Sequence, residues 1–153
     1  YQRLEDSFEP DVFRLAYYTG GDSFTNRMTA VGEATLNFIC RPERFLKSGE
    51  IPIAVADGDG LFNPTRFTSK PLIKITVPSS GTVTISCGGN TMEAEVDDYL
   101  YIDCDLMNAY RLPTENKNGK ITGTFPVILA GANTIGITGT VTSVEITPRF
   151  FNI

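Results

Sequence analysis

The chain has 153 residues, enough for one domain or for one domain plus part of another. Lys and Arg number 13 against 18 Asp and Glu, a net charge of −5 with no basic run, which excludes a protein built to neutralise nucleic-acid phosphates. Histidine is absent, so no Ser-His-Asp or Cys-His nucleophile, histidine general base or His-ligated zinc can be assembled, and the absence of tryptophan removes the commonest sugar-stacking platform.

In chain order, Asp11 to Tyr18 has room for two helical turns and Asp22 to Thr29 for one, though neither holds a full apolar stripe. From Ala34 the period becomes two: Ala34, Leu36, Phe38 and Cys40 share one face of a strand. Arg41-Pro42-Glu43-Arg44-Phe45-Leu46 closes that region. Residues 48–67, with Ser48-Gly49, Asp57-Gly58-Asp59-Gly60 and Asn63-Pro64, read as loop and linker. Beyond them Ile73, Ile75 and Val77 alternate with Lys74 and Thr76, and Val83, Ile85 and Cys87 with Thr84 and Ser86. Leu100, Ile102 and Cys104 alternate with Tyr99, Tyr101, Asp103 and Asp105, and the pairs Ile135/Ile137 and Val144/Ile146 end the series.

Turn chemistry separates these runs. Pro78-Ser79-Ser80-Gly81 has the length of a hairpin loop, Gly88-Gly89-Asn90 closes the next pair, and Asn116-Lys117-Asn118-Gly119 tolerates positive φ. The pattern predicts an all-β chain. Residues 68–153 form an antiparallel β-sandwich of jelly-roll type, expected to fold from about residue 66. Residues 1–47 are too few for a core of their own and are expected to be the C-terminal portion of a larger N-terminal β domain.

The candidate chemistry is sparse. Asp57-Gly58-Asp59-Gly60 starts like a calcium loop, but Leu61, Phe62 and Thr68 stand where a ligand, a glycine and a glutamate are needed, so a plain loop is the better reading. Asp103 and Asp105 share a strand face, as do Glu93 and Glu95. Paired carboxylates are what a glycosidase uses, although no desolvating pocket is signalled and a solvated or partner-facing acidic surface explains them better. Tyr99 and Tyr101, with Tyr110 near in sequence, suit a protein contact, a sugar platform or a second packing layer. Cys40, Cys87 and Cys104 lie in alternating apolar runs and are expected as buried free thiols. Nothing calls for a cofactor or metal, and no apolar run approaches a membrane span.

Several phrases in fixed order resemble one family. Leu36-Asn37-Phe38-Ile39-Cys40-Arg41-Pro42-Glu43-Arg44-Phe45-Leu46 and Asn63-Pro64-Thr65 come first, followed by Ser69-Lys70-Pro71-Leu72-Ile73-Lys74-Ile75 and Tyr101-Ile102-Asp103-Cys104-Asp105 with Asn108-Ala109-Tyr110. Phe125-Pro126, Gly131-Ala132-Asn133-Thr134-Ile135 and Val144-Glu145-Ile146-Thr147-Pro148-Arg149-Phe150 complete the set. Together they are similar to the latter part of siphophage distal tail proteins, with Phe150 where the family usually has Trp. The resemblance implies a galectin-like second domain and a non-enzymatic role in the virion at the distal end of the tail, after assembly in the bacterial cytoplasm. The partners it implies are a hexameric ring of the protein itself, the tail tube protein and the tail-tip, baseplate or receptor-binding proteins. A carbohydrate-binding module of a host-adhesion device, contacting surface glycans, is the alternative. Tyr99, Tyr101, Asp103, Asp105 and Tyr110 are the candidate contact residues under either reading.

Overall fold

The computed structural model of the chain describes the backbone of residues 1–20, 23–27 and 31–153, and the side chains of residues 1–20 and 35–153. The first five strands are β1 (Gln2–Leu4), β2 (Val12–Tyr18), β3 (Ser23–Arg27), β4 (Val31–Thr35) and β5 (Phe38–Leu46). After a 3-10 turn at Lys47–Glu50 come β6 (Ile53–Val55), β7 (Gly60–Asn63), β8 (Leu72–Thr76), β9 (Gly81–Cys87), β10 (Asn90–Val96), β11 (Tyr99–Asp103) and β12 (Asn108–Tyr110). The chain ends with β13 (Ile121–Gly123), β14 (Gly131–Thr134), β15 (Gly136–Thr138), β16 (Ser143–Thr147) and β17 (Phe151–Asn152). All pairings among them are antiparallel.

A five-stranded sheet (β12-β11-β8-β16-β6) and a four-stranded sheet (β13-β10-β9-β15) make the sandwich. Their inward residues share one core. Ile73, Ile75, Leu100, Ile102, Ala109, Val144 and Ile146 come from the first sheet, and Val83, Ile85, Cys87, Met92, Ala94, Val96 and Ile137 from the second. Each fully buried Ile or Val is worth about 1.5–3 kcal/mol over its exposed state, so strict alternation is enough to select this register. Gly88 (φ 61°) and Gly89 (φ 80°) supply the left-handed pair that turns β9 tightly into β10. Pro78 to Gly81 makes no hairpin: β8 pairs with β11 and β16 while β9 pairs with β10 and β15, so this loop crosses between sheets.

A separate four-stranded sheet, β1-β2-β5-β17, holds the N-terminal part. Val12–Tyr18 is therefore a strand rather than two helical turns, and Ser23–Arg27 is a strand too, Asp22, Met28 and Thr29 lying outside the described residues. The β2/β5 ribbon continues through a Thr19 N–H to Asn37 carbonyl bond into the antiparallel β3/β4 pair. The expected single run from Ala34 to Cys40 is split between β4 and β5. Leu36, Phe38 and Cys40 are exposed, and the Ala34 side chain lies outside the described residues.

The segment expected as linker is also corrected. β6 pairs with β16 through Ile53–Ile146 and Val55–Val144, and β7 pairs with β14 through Leu61–Asn133. Leu61 and Asn63 are buried in the sandwich. Conversely the last strand, β17, leaves the sandwich and pairs with β5. Among the described residues no helix is long and apolar enough to cross a membrane.

Candidate functional site

The outer face of the five-stranded sheet is built in cross-strand rows. Register places Ala54, Glu145, Lys74, Tyr101 and Tyr110 side by side across all five strands, with Ser143, Thr76 and Tyr99 in the next row. The structure thus brings the three sequence-selected tyrosines together. Tyr101 stacks on Tyr110 with ring centroids 5.5 Å apart and planes 15° apart, and meets Tyr99 edge-on at 6.0 Å. Leu112 and Pro113 complete the rim of an open depression of about 490 Å³.

The rings are engaged by neighbours rather than laid open. β11 lies between β12 and β8, so Tyr101 has Tyr110 on one flank and the Lys74 ammonium, 5.8 Å from its centroid, on the other. The Arg111 guanidinium sits 5.2 Å from the Tyr99 centroid and is itself tied to Asp98 at 2.9 Å. Stacked rings standing on a sheet present edges and hydroxyls to a partner. A sugar lying flat needs a free ring face, which Tyr101 lacks. Burial, and then the charge of Asp103, push the Tyr110 phenol above its usual value, so it is a neutral hydrogen-bonding group at physiological pH.

The two aspartates part company with the tyrosines. Asp103 ends β11 and is only 4% exposed. Its carboxylate receives both Arg149 guanidinium nitrogens, at 2.7 and 2.8 Å, and the backbone N–H groups of Asp105 and Leu106 at 3.0 and 3.1 Å. Burial alone would raise this carboxyl, but the Arg149 pair and the two N–H donors outweigh it and hold the value below the ordinary carboxylate range. Asp103 is therefore a spent structural carboxylate, unavailable to a glycan, a partner or catalysis. Asp105 lies in the following turn, exposed and paired with Lys70 at 3.3 Å. Paired acids across a cleft are not formed by these two. In the Asp57–Gly60 loop the acids are likewise engaged: Asp57 accepts the Ile137 N–H at 2.8 Å and Asp59 the Ala56 N–H at 2.7 Å.

Sequence reasoning passed over Arg111 and Leu112 as part of this face. Their neighbour Tyr110 was the available signal, but an isolated basic residue after a strand carries none by itself. A second exposed apolar surface was also passed over. On the β2/β5 ribbon Tyr17 pairs with Ile39 and Tyr18 with Phe38, and successive pairs point to opposite faces. All four are exposed, between 40% and 48%, with Leu36 beside them at 54%.

No protein-family model matches the chain, and no curated protein matches it. Among solved structures, the crystal structure of the Dit protein of SPP1 is similar in fold, with a TM-score of 0.71 at 14% identity. The likeness covers 99% of this chain and 64% of that one, so this chain spans less than two thirds of that protein's length. That protein is described as a paradigm of the hub adsorption apparatus in phages that infect Gram-positive bacteria.

Proposed function

We propose that this chain is a structural component of a phage tail, the hub that joins the tail tube to the tail-tip or baseplate proteins. The observation that carries the reading is the shared fold with a phage hub protein over nearly the whole chain, the N-terminal sheet and the sandwich alike. In this reading residues 1–47 belong to a ring-forming β domain, and the sandwich after them is the galectin-like body that meets tail-tip proteins. The two-faced apolar ribbon supports the first part. A ribbon with exposed apolar pairs on both faces is covered only by two different neighbours, which suits a ring of copies such as a hexamer. The tyrosine face supports the second, since edge-presented aromatics flanked by Lys74 and Arg111 suit a protein partner better than a flat sugar. The role is structural, with no catalytic group assigned. Immunogold labelling of tailed particles from a bacterium carrying this coding sequence tests it: gold at the distal end of the tail supports the hub. Well-preserved tails left bare by an antibody that binds the native protein overturn it.

A further inference from the structure

The two halves of the chain meet at a short strap, Arg149–Asn152, every residue of which is anchored. The backbone runs antiparallel to residues 44–49. The Arg149 N–H donates to the Gly49 carbonyl at 2.7 Å, the Leu46 N–H to the Phe150 carbonyl at 2.9 Å, and Phe151 and Asn152 pair with Phe45 and Arg44. The side chains grip alternately. Arg149 holds the buried Asp103 of the sandwich, and Phe150 sinks into the sandwich core at 5% exposure. Phe151 lies between Phe45, on the N-terminal sheet (6.0 Å), and Phe67, on the sandwich side (5.5 Å), while Phe45 stacks in turn on Phe13 at 5.3 Å. The close fit is enforced by Gly49: a Cβ there would lie 2.5 Å from the Phe150 nitrogen. Arg149 adopts φ 59°, a left-handed backbone that a non-glycine residue holds only when its surroundings fix it.

Two chain crossings lie side by side here, 46–53 going out and 147–151 coming back, and they are hydrogen-bonded to one another. A single flexible crossing would leave two units free to swing, the default for domains with small interfaces. We infer that Arg149–Asn152 is a clasp that makes the N-terminal sheet and the sandwich one rigid body, so that the angle at which the tyrosine face is presented is set by this strap. The inference stands independently of the phage reading, because it rests only on the junction.

The test is a distance measurement between spin labels in the full chain. One label goes on native Cys40, which is exposed on β5, and one on an introduced Thr91→Cys on the exposed face of β10; Cys87 and Cys104 are buried and remain unlabelled. Labelled protein is diluted into unlabelled chain so that only intramolecular distances are read. The otherwise wild-type protein should give one narrow distribution. Phe151→Ala, or removal of residues 151–153, should broaden it about twofold or more while the sandwich core keeps its hydrogen-exchange protection. A broad distribution in the protein with its strap intact overturns the clasp, whatever the variants do. An unchanged width after removal of 151–153 overturns it as well.

Discussion

At the scale of single residues, the Asp103–Arg149 pair explains why two distant phrases of the sequence occur together. Tyr101-Ile102-Asp103-Cys104-Asp105 and Thr147-Pro148-Arg149-Phe150 are the two halves of one bidentate contact. Replacing Asp103 by Asn leaves Arg149 half-buried without its counter-charge, and should cost roughly 2–3 kcal/mol at neutral pH. The sign of the pH dependence follows from the lowered carboxyl. Its folded value lies below the unfolded one, about 3.9, so the pair's contribution is complete above that pH and is lost as pH falls through the folded value. Urea unfolding of wild type and Asp103→Asn should therefore show a gap at pH 7 that closes towards pH 3; an equal gap at both would remove the ionic account. Cysteine gives a second expectation. Burial first, and the Asp103 charge second, push the Cys104 thiol up to about 12, burial raises Cys87 as well, and Cys40 is exposed. Titration of the native protein with a thiol reagent should count one reactive cysteine, and three after denaturation. Alternation in the sequence placed Cys87 and Cys104 correctly. It misplaced Cys40, because a period of two says which residues share a face but not whether that face is covered.

At the scale of strands, legibility followed the length and strictness of alternation. Residues 72–76, 81–87 and 99–103 are regular enough to be read directly, and each is a sandwich strand, with Ile73 and Ile75, Val83, Ile85 and Cys87, and Leu100 and Ile102 inward. The three-residue strands β6 and β12 and the four-residue β7 are too short for a period to show, and turn residues at their borders hide them. That difference decides where the sandwich begins. The chain from residue 66, expected to be self-sufficient, lacks β6 and β7. It loses the buried Leu61, the Ile53 and Val55 packing on the core, and the Asn63 amide that donates to the Phe67 and Ile128 carbonyls at 2.9 and 3.3 Å. Loss of one buried Leu side chain alone costs about 2–5 kcal/mol, a large share of a small domain's stability. Residues 48–153 should melt cooperatively and 66–153 should not, by circular dichroism. Equal, sharp melts would show that β6 and β7 are ornamental. Ile102→Asp, at 1% exposure in the centre of β11, should abolish the transition in either length.

At the scale of the whole molecule, the sequence distinguished an N-terminal β part from a C-terminal sandwich but missed how they are joined, because the return of β17 to β5 is a contact between residues over a hundred positions apart. Neither Phe45 nor Phe151 bears any local mark of the other. The tyrosine cluster was legible for the opposite reason: Tyr99 and Tyr101 sit on one strand and Tyr110 on the next, so alternation and proximity agree. The β2/β5 ribbon was half legible: the period of two marked the start of β5, but Val12–Tyr18 alternates too loosely to be told from two helical turns, and no period says that both faces of the pair stay exposed. Its two faces set the last expectation. Tyr17–Ile39 and Tyr18–Phe38 differ from one another, and a contact that sets one face of a copy against the other face of the next is head-to-tail and does not stop at a dimer. Sedimentation velocity should show the weight-average coefficient rising with concentration past that of a dimer. A charge on either face, Ile39→Glu or Phe38→Lys, should break every head-to-tail contact and leave monomer, whereas an equimolar mixture of the two variants should form a dimer through their one intact pair of faces and stop there. If the unaltered chain stays monomeric across the micromolar range, its ribbon faces meet some other surface, and the ring reading of residues 1–47 loses its physical support.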